Sequence, residues 1–167
     1  MNENYIVING KKIELTEEQL KQLGIEPEKK RKNPFERVKP NERYHYVTCD
    51  GAIDEYIDVN DATDTQLYKS SNYFNDEAFA EQVALHQLLY RKLLKFAYDN
   101  ECEDTEEWDG SNTHWTVRYN GNLDEFFAYS QERYKARDVY FSSEEGAKRA
   151  IKEVVEPFMK EHPDFVW

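Results

Sequence analysis

Cysteine is scarce in this 167-residue chain: Cys49 and Cys102 are the only two. Two thiols cannot build a disulfide scaffold, and such sparing use fits a reducing compartment. The chain opens without a basic-then-apolar signal segment. No apolar run approaches the ~20 residues that a membrane-spanning helix needs. These absences predict a protein of the cytoplasm with no membrane partner.

Catalytic and cofactor signatures are missing as well. The sequence holds no P-loop, no GxGxxG and no GxSxG elbow. His45 and Cys49 are four residues apart, but on a strand that spacing separates them by about 13 Å along one face, so it makes no zinc pair. As nucleophile and base they are the one tempting pair, and a surface accident is the other reading. A calcium loop begun at Asp58 places Asn60 correctly at its third position. It then meets Ala62 at the fifth, Thr63 where glycine belongs and Lys69 where a bidentate glutamate belongs. The expectation is no enzyme, no metal and no cofactor. Carboxylates are too numerous for any two to be singled out as acid and base.

Positive charge is absent from two stretches. Residues 50–64 carry Asp50, Asp54, Glu55, Asp58, Asp61 and Asp64, and residues 99–109 carry Asp99, Glu101, Glu103, Asp104, Glu106, Glu107 and Asp109, with no Lys or Arg in either. The whole chain has a net charge of −12, which disfavours non-specific binding to nucleic acid or anionic membrane. Like charges at this density repel, so they either solvate loops or present a negative surface to something basic. Duplex DNA carries roughly one charge per 1.7 Å, and its partners bind through Lys and Arg. A rigid carboxylate array can occupy such a basic groove. On that reading Asp50, Asp54, Asp58, Asp61, Glu103, Asp104, Glu106 and Glu107 are the partner-binding residues. The partner is a nucleic-acid-binding protein or ribonucleoprotein.

The opposite pole is Lys29-Lys30-Arg31-Lys32, followed by Arg37, Lys39 and Arg43. It reads as a solvated linker or as a counterpart of the chain's own acidic surface. Direct nucleic-acid contact, if made at all, falls to Lys29, Lys30, Arg31 and Lys32.

Mean hydropathy is strongly negative, yet the chain has 12 Tyr, 9 Phe and 3 Trp. Disordered chains are poor in aromatics, whereas tyrosines let a small domain build a core while keeping polar tips wet. Tyr44, Tyr46, Trp115, Tyr119, Phe127 and Tyr129 are either core and sheet pairs or a stacking platform. The second option, with Arg118, Arg133 and Arg137, describes a nucleotide-sequestering module. His86, on the apolar face of a helix, reads as a buried core histidine.

YIVINGKKIEL (5–15) predicts a hairpin around Asn9-Gly10. Thr16-Glu17-Glu18-Gln19 then caps a short helix ending at Gly24. Residues 1–24 form this small hairpin–helix unit, 25–34 a basic linker, and 35–167 the main domain. There, Tyr44–Thr48 and Ala52–Val59 flank Asp50-Gly51 as a second hairpin. Residues 76–98 form a long amphipathic helix with Asn75 as N-cap. Strands are expected at His114–Tyr119, Glu125–Ser130 and Asp138–Phe141. A capping box at Ser142–Glu145 opens a helix that stops at Pro157, and the aromatic tail packs back on the body. The fold class is α+β: a mostly antiparallel sheet packed against one long and one shorter helix.

NPFERVKPNERYHYV (33–47), VYFSSEEGAKRAIKEV (139–154) and PFMKEHPDFVW (157–167) resemble a functionally uncharacterised family of small proteins encoded by phages and prophages of Gram-positive bacteria. INGKKIELTEEQLKQLG (8–24) is similar to the leader such proteins carry. The resemblance spans a little over a third of the chain and implies no chemistry. It implies a phage accessory protein acting in the bacterial host cytoplasm. Together with the acidic stretches, it leads to the expectation of an inhibitor of a host nucleic-acid-targeting defence enzyme, such as a CRISPR nuclease. The alternatives are the nucleotide-binding module and a purely structural or adaptor role.

Overall fold

The structure is a computed structural model that describes residues 5–8, 11–14, 19 and 33–167. Two compact units are present, Met1–Asn33 and Pro34–Trp167. In the first, β1 (Tyr5–Ile8) pairs antiparallel with β2 (Lys11–Glu14), Tyr5 opposite Glu14 and Ile8 opposite Lys11. The expected Asn9-Gly10 turn, the capping box, most of the short helix and Lys29–Lys32 lie outside the described residues.

The second unit is α+β with antiparallel pairing. β3 (Arg43–Val47) and β4 (Ile53–Ile57) form the expected hairpin, with Arg43 opposite Ile57 and Val47 opposite Ile53. Gly51 closes the turn with φ +92°, and its N–H bonds the Thr48 carbonyl at 3.0 Å. Only glycine adopts that backbone region without cost. α1 (Ala62–Lys69) follows, a helix absent from the sequence expectations. It is opened by a reciprocal capping box in which Asp61 receives the Asp64 N–H and Asp64 receives the Asp61 N–H.

α2 (Glu77–Asp99) is the long helix, capped by Asp76 instead of the expected Asn75, because the Asp76 carboxylate reaches the Phe79 N–H at 3.0 Å. Its buried stripe runs through Ala80, Ala84, Leu89, Leu93, Phe96 and Ala97. Tyr90 and Leu94 stay exposed. His86 is exposed too, correcting the expectation of a buried histidine; its ring lies edge-on to Phe165 at 4.6 Å.

β5 (His114–Asn120) and β6 (Glu125–Gln131) form a further hairpin, His114 opposite Gln131 and Asn120 opposite Glu125. The expected single sheet is replaced by separate two-stranded ladders. Residues 138–141 lie beside β5 without becoming a strand. Phe141 exchanges backbone bonds with Trp115, but the Val139 carbonyl is taken by the Thr116 hydroxyl at 2.9 Å. That side-chain bond replaces the main-chain bond a regular ladder would place there.

Ser143, not Ser142, caps α3 (Glu144–Ala150) by accepting the Gly146 N–H. The chain does not stop at Pro157. A π turn (Ile151–Val155) intervenes, with the Glu156 N–H reaching back five residues to the Ile151 carbonyl, and α4 (Glu156–Glu161) carries the proline in its first turn. Proline lacks the N–H that a regular ladder would use, and the widened turn just before it is where a helix accommodates such a gap. Ala147, Ile151, Val155 and Phe158 from this segment close on the α2 stripe, Val117 and Phe141, and the tail seals the core with Phe165. Among the described residues no helix is long and apolar enough to cross a membrane.

Candidate functional site

The first acidic stretch divides into structural and outward-facing carboxylates. Asp58 is 1% exposed. Arg37 grips it from Nε at 2.6 Å and Nη2 at 2.9 Å, and the Tyr73 hydroxyl and Asn60 N–H complete its shell at 2.8 and 2.9 Å. The forked guanidinium lowers its pKa to about 2 against the cost of burial. Asp64 is also buried. It accepts the Tyr44 hydroxyl at 2.8 Å and the N–H groups of Val59 and Asp61 at 2.9 and 3.0 Å. Tyr44 stacks on Tyr73, centroids 4.0 Å apart, and burial followed by the Asp64 bond pushes its phenol upward.

Asp58 therefore cannot serve as a surface contact, which corrects its place among the partner-binding residues. Asp50, Asp54 and Asp61 remain exposed. Each is held locally. Asp50 receives the Thr48 hydroxyl, Asp54 the Glu55 N–H at 2.8 Å and the Tyr46 hydroxyl at 3.2 Å, and Asp61 the Asp64 N–H at 2.9 Å. Glu55 is spent on Arg43.

The second stretch divides in the same way. Asp104 turns inward to His114 Nδ1 at 2.8 Å, and His114 is fully buried beneath Trp108. Asp104 is corrected alongside Asp58: a carboxylate closed over by its own loop faces no partner. Glu103 is half-buried, its main chain bridged to Phe141. Glu106 and Glu107 are exposed, and Asp99 pairs with Lys95. The Asp104–His114 pair resembles half of a catalytic triad, but a histidine sealed from solvent cannot reach a proton on a substrate.

Spacing limits what the outward set can imitate. Side chains on one strand face recur about every 6.7 Å, and along that face of β4 Asp54 is followed by Tyr56 and then by buried Asp58. A duplex presents about four charges over the same distance. The hairpin offers fixed, sparse anionic contacts, not the charge density of nucleic acid. Among the described residues, Arg37 and Arg43 are committed to Asp58 and Glu55, while the Arg91 guanidinium lies at the hairpin turn, where a Cβ on Gly51 would meet its Nη2 at 3.2 Å. Among the described residues no group of three or more His, Cys, Asp or Glu could hold a metal ion.

A cavity of about 230 Å³ lies elsewhere in the unit. α2 supplies His86, Leu89, Tyr90 and Leu93, β5 supplies Thr116, Val117 and Arg118, and the following segment supplies Asp138 and Val139. Phe165 and Trp167 of the tail complete the wall. The tail is latched to α2 through Gln82, whose amide donates to the Asp164 carbonyl and accepts the Val166 N–H, both at 2.9 Å. Trp167 rests on Phe126 at 4.8 Å. Arg118 faces Asp138 at 2.7 Å. Of the three arginines named from sequence, only Arg118 lines this space. Tyr44 belongs instead to the Tyr73 stack. Sequence reasoning missed Tyr90, Asp138 and Trp167, for which the aromatic tail was the one available signal.

Comparison with known proteins adds no relative: no family model, no curated protein and no solved structure matches the chain.

Proposed function

We propose that this chain is a non-enzymatic phage accessory protein that acts in the bacterial cytoplasm, docking on a basic groove of a host nucleic-acid-targeting enzyme and obstructing it. The contacts are Asp50, Asp54 and Asp61, with Glu106 and Glu107 of the second loop. One observation carries the reading: Asp50 and Asp54 of the hairpin and Asp61 at the start of α1 are exposed yet anchored by their own hydrogen bonds. Anchored charges lose little side-chain freedom on binding, so more of their attraction appears as affinity. The net charge of −12 adds a long-range field that speeds encounter with a cationic surface.

The test compares affinity capture from bacterial lysate at roughly 50 and 500 mM salt, where screening differs several-fold in range. The wild type should retain nucleic-acid-binding proteins at low salt and release them at high salt. Joint replacement Asp50→Lys, Asp54→Lys, Glu106→Lys and Glu107→Lys, which spares the Asp61 cap of α1, should abolish capture with the circular dichroism spectrum unchanged. Capture indifferent to both salt and charge reversal would remove the proposal.

A further inference from the structure

The geometry points to a second binding site in this molecule: we propose that the cavity between α2, β5 and the carboxy-terminal tail takes an uncharged, planar heteroaromatic lactam of one or two rings, the guanine class, as a free base or nucleoside.

Size sets the first bound. An apolar cavity of about 150 Å³ accommodates benzene, and drug-sized ligands begin near 300 Å³. At about 230 Å³ the space suits one or two fused rings. Its composition sets the second. Leu89, Leu93 and Val117 form an apolar floor, while Tyr90 and Trp167 stand at the wall as partly exposed rings. Surfaces of that kind reward a flat π-system that can stack on the rings.

The polar edge sets the third. Arg118 Nη2 and Asp138 Oδ2 meet at 2.7 Å, with Oδ2 itself sealed from solvent. The donor and acceptor left side by side at the cavity wall are therefore the remaining guanidinium N–H groups and the second oxygen of the quarter-exposed Asp138 carboxylate. A lactam edge carries the complement, a carbonyl beside an N–H: the guanidinium donates to the first and the carboxylate accepts from the second. An adenine-type edge carries no carbonyl for the arginine.

Charge decides between nucleoside and nucleotide. Arg118 is neutralised by Asp138, and the chain as a whole is at −12. A phosphate would enter a negative field with no unmatched cation in the cavity wall to meet it. The unphosphorylated ligand is therefore the one assigned to this cavity, in place of the nucleotide of the aromatic-and-arginine alternative.

Calorimetric titration of the full chain with guanosine, adenosine and guanosine monophosphate tests the assignment. Guanosine should bind, with adenosine and the monophosphate each at least tenfold weaker. Tyr90→Ala, at an exposed ring that leaves the core intact, should weaken guanosine about tenfold or more. Asp138→Asn should erase the preference for guanosine over adenosine, with urea midpoints of both variants reported alongside. No heat with guanosine at millimolar concentration overturns the site. Equal affinity for the monophosphate overturns the charge argument, and binding untouched by both substitutions overturns the location.

Discussion

Trp108 lies flat on His114, the ring centroids 3.7 Å apart and the planes 8° from parallel. Tyr140 meets the indole edge-on at 4.8 Å and Lys135 approaches its face at 5.5 Å. The acidic loop is therefore pinned at its middle by an aromatic clamp, and Asp104 holds the imidazole from the side. Asp104→Ala leaves a fully buried ring nitrogen without its carboxylate. The expected cost is about 1–3 kcal/mol, read as a lower urea midpoint at unchanged slope.

The Arg37–Asp58 pair makes stability depend on acid. The Asp58 carboxyl titrates at about 2 in the folded chain against an ordinary 3.8. A depressed folded value means the contribution is complete above about pH 4 and disappears as pH falls through 2. The difference corresponds to about 2 kcal/mol. Urea unfolding from pH 5 down to pH 2 should show that loss in the wild type. In Asp58→Asn the profile should be flatter over this window and lower at pH 5.

Tyr44 and Asp64 join β3 to the start of α1 across 20 residues. Tyr44→Phe removes one donor while Asp64 keeps two backbone N–H partners, a loss of about 1 kcal/mol. Asp64→Ala removes the acceptor for all three and strands the buried Tyr44 hydroxyl. It should cost about 3 kcal/mol or more and should lower helical ellipticity as α1 loses its reciprocal cap.

How far these features can be read in advance depends on how local they are. Asp50-Gly51 encodes its own turn, and the α2 stripe recurs along one helix, so both are visible in the string. Asp58 and Asp64 look like any other members of an acidic run. What draws them inward, Arg37 and Tyr73 for one and Tyr44 for the other, lies 15 to 21 residues away. α1 was hidden for the same reason: ATDTQLYK has a weak apolar side and depends on Asp64 being held from outside. The cavity is assembled by four separated segments, and no short window contains it.

The two thiols should separate cleanly. Cys49 is exposed in the hairpin turn and Cys102 is buried, where burial pushes its thiol upward. A chromogenic disulfide reagent should consume one equivalent in buffer and the second only in denaturant. Two equivalents in buffer would mean that the loop carrying Cys102 opens readily.

Gln82 is the sole side chain described that clasps the tail backbone from both directions. Gln82→Ala should cost only about 1 kcal/mol globally, because the freed main-chain groups lie at the surface. Trimming by carboxypeptidase should nevertheless speed up several-fold, since a tail held by fewer bonds opens locally more often.

The π turn ahead of Pro157 amounts to one surplus residue wound into a continuous rod. The widened turn absorbs that residue locally, because the Glu156 N–H still meets the Ile151 carbonyl one turn back, and Phe158 keeps its seat 5.3 Å from Phe165. Were the coil drawn in to 3.6 residues per turn with the surplus residue kept, everything beyond it would rotate by about 100°, and the closing strap would lose its anchor. The width of that one coil, more than its composition, sets where the chain's last aromatic residues land.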